Sequence, residues 1–303
     1  MKSTKISIAL ITLLAGFANA QTAKAPLETT ESKLARGEPL LLGVRGTSSP
    51  FAYKHNGTYQ GMTVDICLKV FETVKAKYAN ATYKFVETNP QNRLVLLNEG
   101  KIDLECGSTA NTLERRKEVD FSIPFYISDV RAIKLKTTKL LSIGDVNEKT
   151  VLAITKGTTG EESMKKVSLF YKIKSQKYGI KVLISDSHKK SLDLVATGQA
   201  TFFVGSDILL QGVQLERKDA DSFEFLNEIY QIDPFSIALR KNDKWLKIET
   251  SKTITGLMKG NEFQQIYDKW FMQPIAPLNK SLNIPMSHKL RETTRMPTNI
   301  TGE

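Results

Sequence analysis

Strand-like and helix-like signals alternate along this chain in two successive series, and that order leaves few folds open to it. In the first series an apolar strand over 40–45 leads into turn residues 46–50. A helical pattern over about 63–77 follows, in which Ile66, Cys67, Val70, Phe71 and Val74 recur at helical spacing. A strand over 83–87, a short helix through Leu94 and Leu97 ending at Gly100, and a strand over 102–106 complete it. Such a β-α-β-α-β order predicts a parallel sheet with right-handed crossovers. The second series starts near Thr150, with a strand over 151–155, the turn Gly157-Thr158-Thr159 and a helix over about 161–168. Strand 181–184, helix 189–197, strand 201–204 and a further helix from Ile208 follow. Gly100 stands seven positions before Gly107-Ser108, and Gly198 stands seven before Gly205-Ser206, so two similar α/β lobes are expected. Beyond Ile237 two helices, over 244–260 and 261–271, bring no new strand series, and the tail should therefore return to the first lobe. Strand-like crossings over 130–136 and 235–240 would join the lobes, a double connection that suits a hinge. Residues 286–303, mostly polar, are expected at the periphery.

The N-terminus adds a destination. Lys2 and Lys5, an apolar run over 6–17 and Ala18-Asn19-Ala20 before Gln21 have the layout of a cleavable signal, with cleavage expected near Ala20 and Gln21. At about a dozen residues the run is shorter than the roughly 20 needed to cross a bilayer. Removing 20 of 303 residues leaves 283, and because two lysines and no acid go with them, the formal charge falls from +11 to +9. That charge is spread along the chain, without the basic runs interleaved with aromatics that nucleic acid binding calls for; general attraction of anions is the reading it supports. Residues 21–36 read as a loose N-terminal arm. Cys67 and Cys106 are the only cysteines and make no zinc site; in an exported chain they form either one disulfide or two buried thiols.

Candidate site residues fall where strands end and helices begin, the place where open parallel sheets collect ligands. Arg45 ends an apolar strand and is followed by the small residues Gly46, Thr47, Ser48 and Ser49, which leave room beside its charge. Arg93 opens the helix through Leu94 and Leu97, as a surface arginine or as a ligand contact. Arg115, three residues after a capping Thr112, is either solvated in its Glu-Arg-Arg-Lys run or holds its planar fork near Ser108, where it matches a carboxylate. Gly157-Thr158-Thr159 offers N–H groups and hydroxyls at a helix start. Asp207 caps the next helix or faces a cation such as an ammonium, and His188 is a loop residue or a ligand contact. Hydrolytic chemistry has no support: no Gly-x-Ser-x-Gly elbow, no triad spacing and no nucleotide-binding glycine fingerprint is present.

PQNR at 90–93, DLECGST at 103–109, Thr112-x-x-Arg115, DFSIPF at 120–125, KGTTGE at 156–161 and ALRKND at 238–243 resemble the periplasmic amino-acid-binding proteins of ABC importers, in the family's order and over about 34–285. Within that family the likeness is greatest to glutamate/aspartate binders. The resemblance implies a two-lobed α/β periplasmic-binding fold of type II, each lobe a mostly parallel sheet flanked by helices, joined by two hinge strands. Lobe I would comprise 37–132 and 239–303, lobe II 133–238. It further implies a monomer in the periplasm, without cofactor or metal, that captures L-glutamate or L-aspartate and delivers it to an inner-membrane permease. By position, Arg115 and the Thr158 and Thr159 helix start match the clamp on the α-carboxylate, Ser108 and Asp207 the receivers of the α-ammonium, and Arg45, Arg93 and His188 the basic cluster for the side-chain carboxylate. Pro90 and Ala110 depart from it, standing where the relatives have a serine near the side-chain carboxylate and a threonine near the ammonium. Some proteins of this fold dehydrate cyclohexadienyl acids, so an enzyme on the same scaffold, or a binder of another polar amino acid, is the alternative.

Overall fold

The computed structural model describes residues 28–174 and 180–298, and divides the alternating elements between two main sheets. The expected signal over 1–20 and the first part of the arm lie outside the described residues. The end of the arm is ordered as helix α1 (Thr30–Ala35), where a loose segment was expected. Polar anchors rather than periodicity hold it: Thr30 N–H donates to Asp243, Arg240 donates to the Thr30 hydroxyl, and Lys33 pairs with the fully buried Asp103 at 2.8 Å.

The first sheet then begins with β1 (Leu40–Arg45). A small antiparallel sheet of β2 (Thr47–Ser48), β3 (Ala52–His55) and β4 (Thr58–Gln60) occupies what the sequence shows only as turn residues. After α2 (Met62–Lys77) come β5 (Tyr83–Thr88), α3 (Arg93–Asn98), β6 (Leu104–Cys106), α4 (Leu113–Arg116) and β7 (Asp120–Phe121). The second sheet takes β8 (Tyr126–Leu135), β9 (Val151–Thr155), α5 (Thr159–Lys174), β10 (Lys181–Ser185), α6 (His188–Ala196), β11 (Phe202–Ser206), α7 (Asp207–Leu215), β12 (Phe223–Phe225) and β13 (Gln231–Phe235). The chain returns through β14 (Ala238–Leu239), α8 (Lys244–Lys259) and α9 (Glu262–Phe271), then a ribbon of β15 (Pro274–Ile275) and β16 (Lys280–Ser281), and α10 (His288–Arg295). No helix among the described residues is long and apolar enough to cross a membrane.

Strand order is β5-β1-β6-β14-β7 in the first sheet and β10-β9-β11-β8-β12 in the second, with β13 also paired to β8. Strands β5, β1 and β6 are parallel, as are β10, β9 and β11. One strand in each sheet runs against its neighbours: β14 in the first and β8 in the second. Each is the strand that arrives from the other sheet, so the reversal follows from the connection. The crossings differ from those expected at 130–136 and 235–240. β8 is already in the second sheet at Tyr126, paired with Phe235, so the chain passes over at 122–125 and 236–237. These segments lie side by side, Ser122 N–H donating to Ile237 O at 2.9 Å and Phe125 N–H to Phe235 O at 2.8 Å. Phe51 packs against Phe125, Tyr126, Phe235 and Phe271 around them.

Burial accounts for both sheets. Leu40, Leu42 and Val44 of β1 meet the apolar stripe of α2, and the Phe263, Ile266, Tyr267 and Trp270 stripe of α9 closes the same core. In β11, Phe202 and Val204 face one core while Phe203 faces another, so this strand is apolar on both sides and covered by helices on both. Cys67 and Cys106 form a disulfide with Cα atoms 6.1 Å apart, tying α2 to the end of β6.

Candidate functional site

Strands β1 and β6 of one sheet and β9, β10 and β11 of the other end at a common gap, which holds a small cavity. Each sheet supplies half of its lining. From the first come Arg45, Pro90, Arg93, Ser108 and Arg115; from the second come Thr158, Thr159, His188, Ser206 and Leu209. Seven of the eight residues singled out from sequence thus meet on one cavity, and Asp207 does not.

The first wall is made of charge. Arg45, Arg93 and Arg115 are all buried, none exposing more than 6 %. Thr112 caps α4 by accepting the Arg115 N–H, and this turn aims the guanidinium inward. There Arg115 donates to Ala110 O at 3.2 Å and Gly157 O at 3.5 Å, and pairs with Glu162 at 2.9 Å. Arg93 donates to Pro90 O and, at 3.1 Å, to Gly157 O, while its Nε is buried without a partner. Arg45 lies beside Glu105, whose two carboxylate oxygens are also buried without hydrogen bonds. Gly107 lets them lie together, because a Cβ there would stand 2.3 Å from Glu105 Oε1 and 2.6 Å from Arg45 Cγ. Burial first, then repulsion from Arg115 and Arg45, pushes the Arg93 guanidinium well below its ordinary pKa; burial also lowers that of Arg45, with Glu105 opposing and Arg115 adding to the shift. The wall is strained electrostatically in a way that an anion would relieve.

The second wall is neutral at its surface. Thr158 and Thr159 open α5, and Thr158 Oγ1 donates to Thr155 O at 2.7 Å. Gly157, at φ +76°, brings this turn against the first wall, where a Cβ would meet Pro90 O at 2.7 Å. Gln91 Nε2 also crosses the gap to Lys156 O at 2.7 Å. His188 begins α6 after the capping Ser187. Burial, and then the nearby Arg45 and Arg93, lower its pKa to about 3, so it is a neutral imidazole rather than the third cation that a basic cluster implies.

Asp207 sits behind this wall. As the first residue of α7 it accepts from Ile208 N–H at 2.7 Å, and Ser128 Oγ at 2.6 Å and Asp129 N–H at 3.3 Å donate to the same oxygen. The N-cap of α7 is Ser206 rather than Asp207, and Asp207 is not among the residues that line the cavity. Two residues that sequence reasoning passed over stand in its place. Ser206 lines the cavity, and it donates to Asp233 Oδ2 at 2.6 Å; Thr159 Oγ1 donates to that same oxygen, and Gln231 Nε2 reaches Oδ1 at 3.0 Å. Asp233 is fully buried in β13; burial raises its pKa, opposed by the bonds from Ser206 and Thr159, by the charge of Arg115 and by Gln231. An acid inside the apolar run around Phe235 was the signal available in the sequence.

Convergent guanidiniums, a helix start and a neutral imidazole have the chemistry to bind carboxylates, with hydroxyls beside them for a further polar group. Among the described residues no group of three or more His, Cys, Asp or Glu is placed to hold a metal. The profile of the bacterial extracellular solute-binding proteins, family 3, matches residues 40–273. The chain is 31% identical over 297 residues to the L-glutamate/L-aspartate-binding protein of Pseudomonas aeruginosa, covering 96% of each. It is 30% identical to the glutamate/aspartate import solute-binding protein of Salmonella typhimurium, covering 98% of each. In structure it is similar to a solute receptor for L-cysteine of Neisseria gonorrhoeae, with a TM-score of 0.67 at 20% identity over 86% of this chain and all of the other. The fold is accordingly the two-lobed α/β arrangement of these binding proteins, each sheet forming the centre of a lobe.

Proposed function

The chain belongs to family 3 of the bacterial extracellular solute-binding proteins, and from that membership we propose that it captures an acidic L-amino acid, glutamate or aspartate, and delivers it to an ABC importer. The observation that carries this reading is the set of three buried arginines on one small cavity. Buried charge without a partner costs several kcal/mol, so a neutral or basic solute leaves at least one guanidinium uncompensated, while a dicarboxylate answers them. Arg115 with Thr158 and Thr159 holds the α-carboxylate, and Arg45, Arg93 and His188 hold the side-chain carboxylate. The ammonium falls to Ser108, whose hydroxyl is buried without a protein partner, and to the hydroxyls of the second wall.

The lobes close by bending at 122–125 and 236–237, and the chain acts in the periplasm as a monomer, residues 1–20 serving as its export signal. No step of chemistry is assigned to the bound solute. Calorimetric titration with L-glutamate and L-aspartate should give saturable binding of at least one, and heat from neutral or basic amino acids alone would overturn the acidic assignment. Arg45→Ala should weaken both acidic ligands while leaving thermal unfolding cooperative; a variant that binds them as tightly as the parent removes Arg45 from the site.

A further inference from the structure

An amino dicarboxylate poses a problem for this cavity that its arginines cannot solve. An ammonium carries three N–H donors and no acceptor, whereas guanidiniums and the start of α5 also present donors only. Among the described residues no carboxylate lines the cavity, and Asp207 is held away from it by Ser128, Asp129 N–H and Ile208 N–H. A hydroxyl oxygen can accept from the ammonium, and it is fixed as an acceptor where its own proton is committed elsewhere, which the unpartnered Ser108 hydroxyl is not. Thr159 and Ser206 meet this condition together: each lines the cavity and each gives its proton to the same oxygen, Asp233 Oδ2. Thr158 also gives its proton away, but to the neutral carbonyl of Thr155.

Resting on the acidic-amino-acid reading, we infer that Asp233 is the residue that makes this site select for an α-amino group: through Thr159 and Ser206 it presents two acceptor oxygens, backed by a buried negative charge, to the ligand ammonium. Three elements are brought together for this purpose. Ser206 ends β11, Thr159 begins α5, and Asp233 lies in β13 opposite Ser128 of β8, just before the crossing at 236–237. Asp233 is a positioning residue, since it touches the ligand through the two hydroxyls. Arg115 contributes at longer range, as its direct carboxylate partner is Glu162.

The test compares L-glutamate with glutarate, which keeps both carboxylates and the chain length and lacks the amino group. The parent should prefer glutamate, and Asp233→Asn should lose about tenfold to a hundredfold on glutamate and little on glutarate, the range expected for a hydrogen bond to a charged group. Ser206→Ala, which leaves Asp233 its bonds from Thr159 and Gln231, should shift the preference in the same direction by less, and it serves if Asp233→Asn does not fold. A parent that prefers glutamate together with variants that keep the preference, or that lose both ligands equally, overturns the role of Asp233. A parent that binds glutarate as tightly as glutamate also overturns it, while leaving the carboxylate receptor intact. A parent that binds neither is compared on L-aspartate and succinate in the same way, and binding of none of the four overturns the acidic reading itself.

Discussion

The two walls of the cavity solve different problems with different chemistry. The first wall places three guanidiniums in a buried space and leaves them short of partners: Arg93 Nε is unbonded, and the carboxylate of Glu105 beside Arg45 accepts no hydrogen bond. The second wall shows a neutral imidazole and three hydroxyls, with its acid, Asp233, one hydrogen bond further back. On the proposed function, charge at the surface serves to attract and fix carboxylates, which is a matter of affinity. Polarity set from behind decides which small polar group is accepted next to them, which is a matter of selectivity.

The largest effect should come from the first wall. Arg115→Met removes the fork aimed at the α-carboxylate, and a thousandfold loss, about 4 kcal/mol, is expected for acidic amino acids by calorimetry. Folding should survive, because the Glu162 carboxylate left behind is about a third exposed and can be hydrated. A loss below tenfold would mean that charge is not concentrated on this wall.

The disulfide supports the same wall, two residues from Ser108, and closes a sequence separation of 39. Replacing Cys67 and Cys106 by serine should lower unfolding free energy by about 3–4 kcal/mol on the loop-entropy account. Ligand affinity, measured where both proteins are folded, should stay within a few fold. If affinity falls along with stability, the first wall depends on the crosslink for its geometry and is less rigid than the comparison implies.

On the second wall the expected effect is a dependence on pH. His188 has its pKa lowered to about 3 in the folded protein, against about 6.5 unfolded, so between these values the unfolded chain binds a proton that the folded one does not. Stability is therefore full above about 6.5 and falls as pH drops, by up to about 1.4 kcal/mol per unit from this group. Urea unfolding at pH 7 and pH 5 should show the parent losing about 2 kcal/mol more than His188→Gln over that interval. Equal losses in both would restore His188 to the charged set.

What could be read from sequence divides along the same line. Strand β1 ending at Arg45 and strand β9 ending before the Gly157 turn follow from apolar runs and turn residues, and both sites lie where those runs stop. Arg93 and Arg115 were ambiguous because a helix-start arginine has the same local sequence whether it points to solvent or to a gap. The second wall was harder. The charge state of His188 depends on burial and on Arg45 and Arg93, which come from distant segments. Ser206 and Asp233 are separated by 27 residues and act as one unit only because β11 and β13 both pair with β8. The order of α1 likewise rests on Asp103, Arg240 and Asp243, partners that no local pattern announces.

The smallest effect should come from Asp207, which the sequence leaves between a helix cap and a contact for a ligand cation. Asp207→Asn keeps an acceptor oxygen for Ser128, Asp129 N–H and Ile208 N–H, and the side chain stands behind Ser206 rather than on the cavity. Glutamate affinity in this variant should change by less than about threefold, within the spread of a single neutral hydrogen bond. The contrast with Asp233→Asn is what gives the measurement its force, because the two acids flank the same serine, one from the start of α7 and one from β13. Should Asp207→Asn abolish the preference for glutamate over glutarate while Asp233→Asn keeps it, the selective charge would lie at the start of α7, and the second wall would work by direct contact, as the first does.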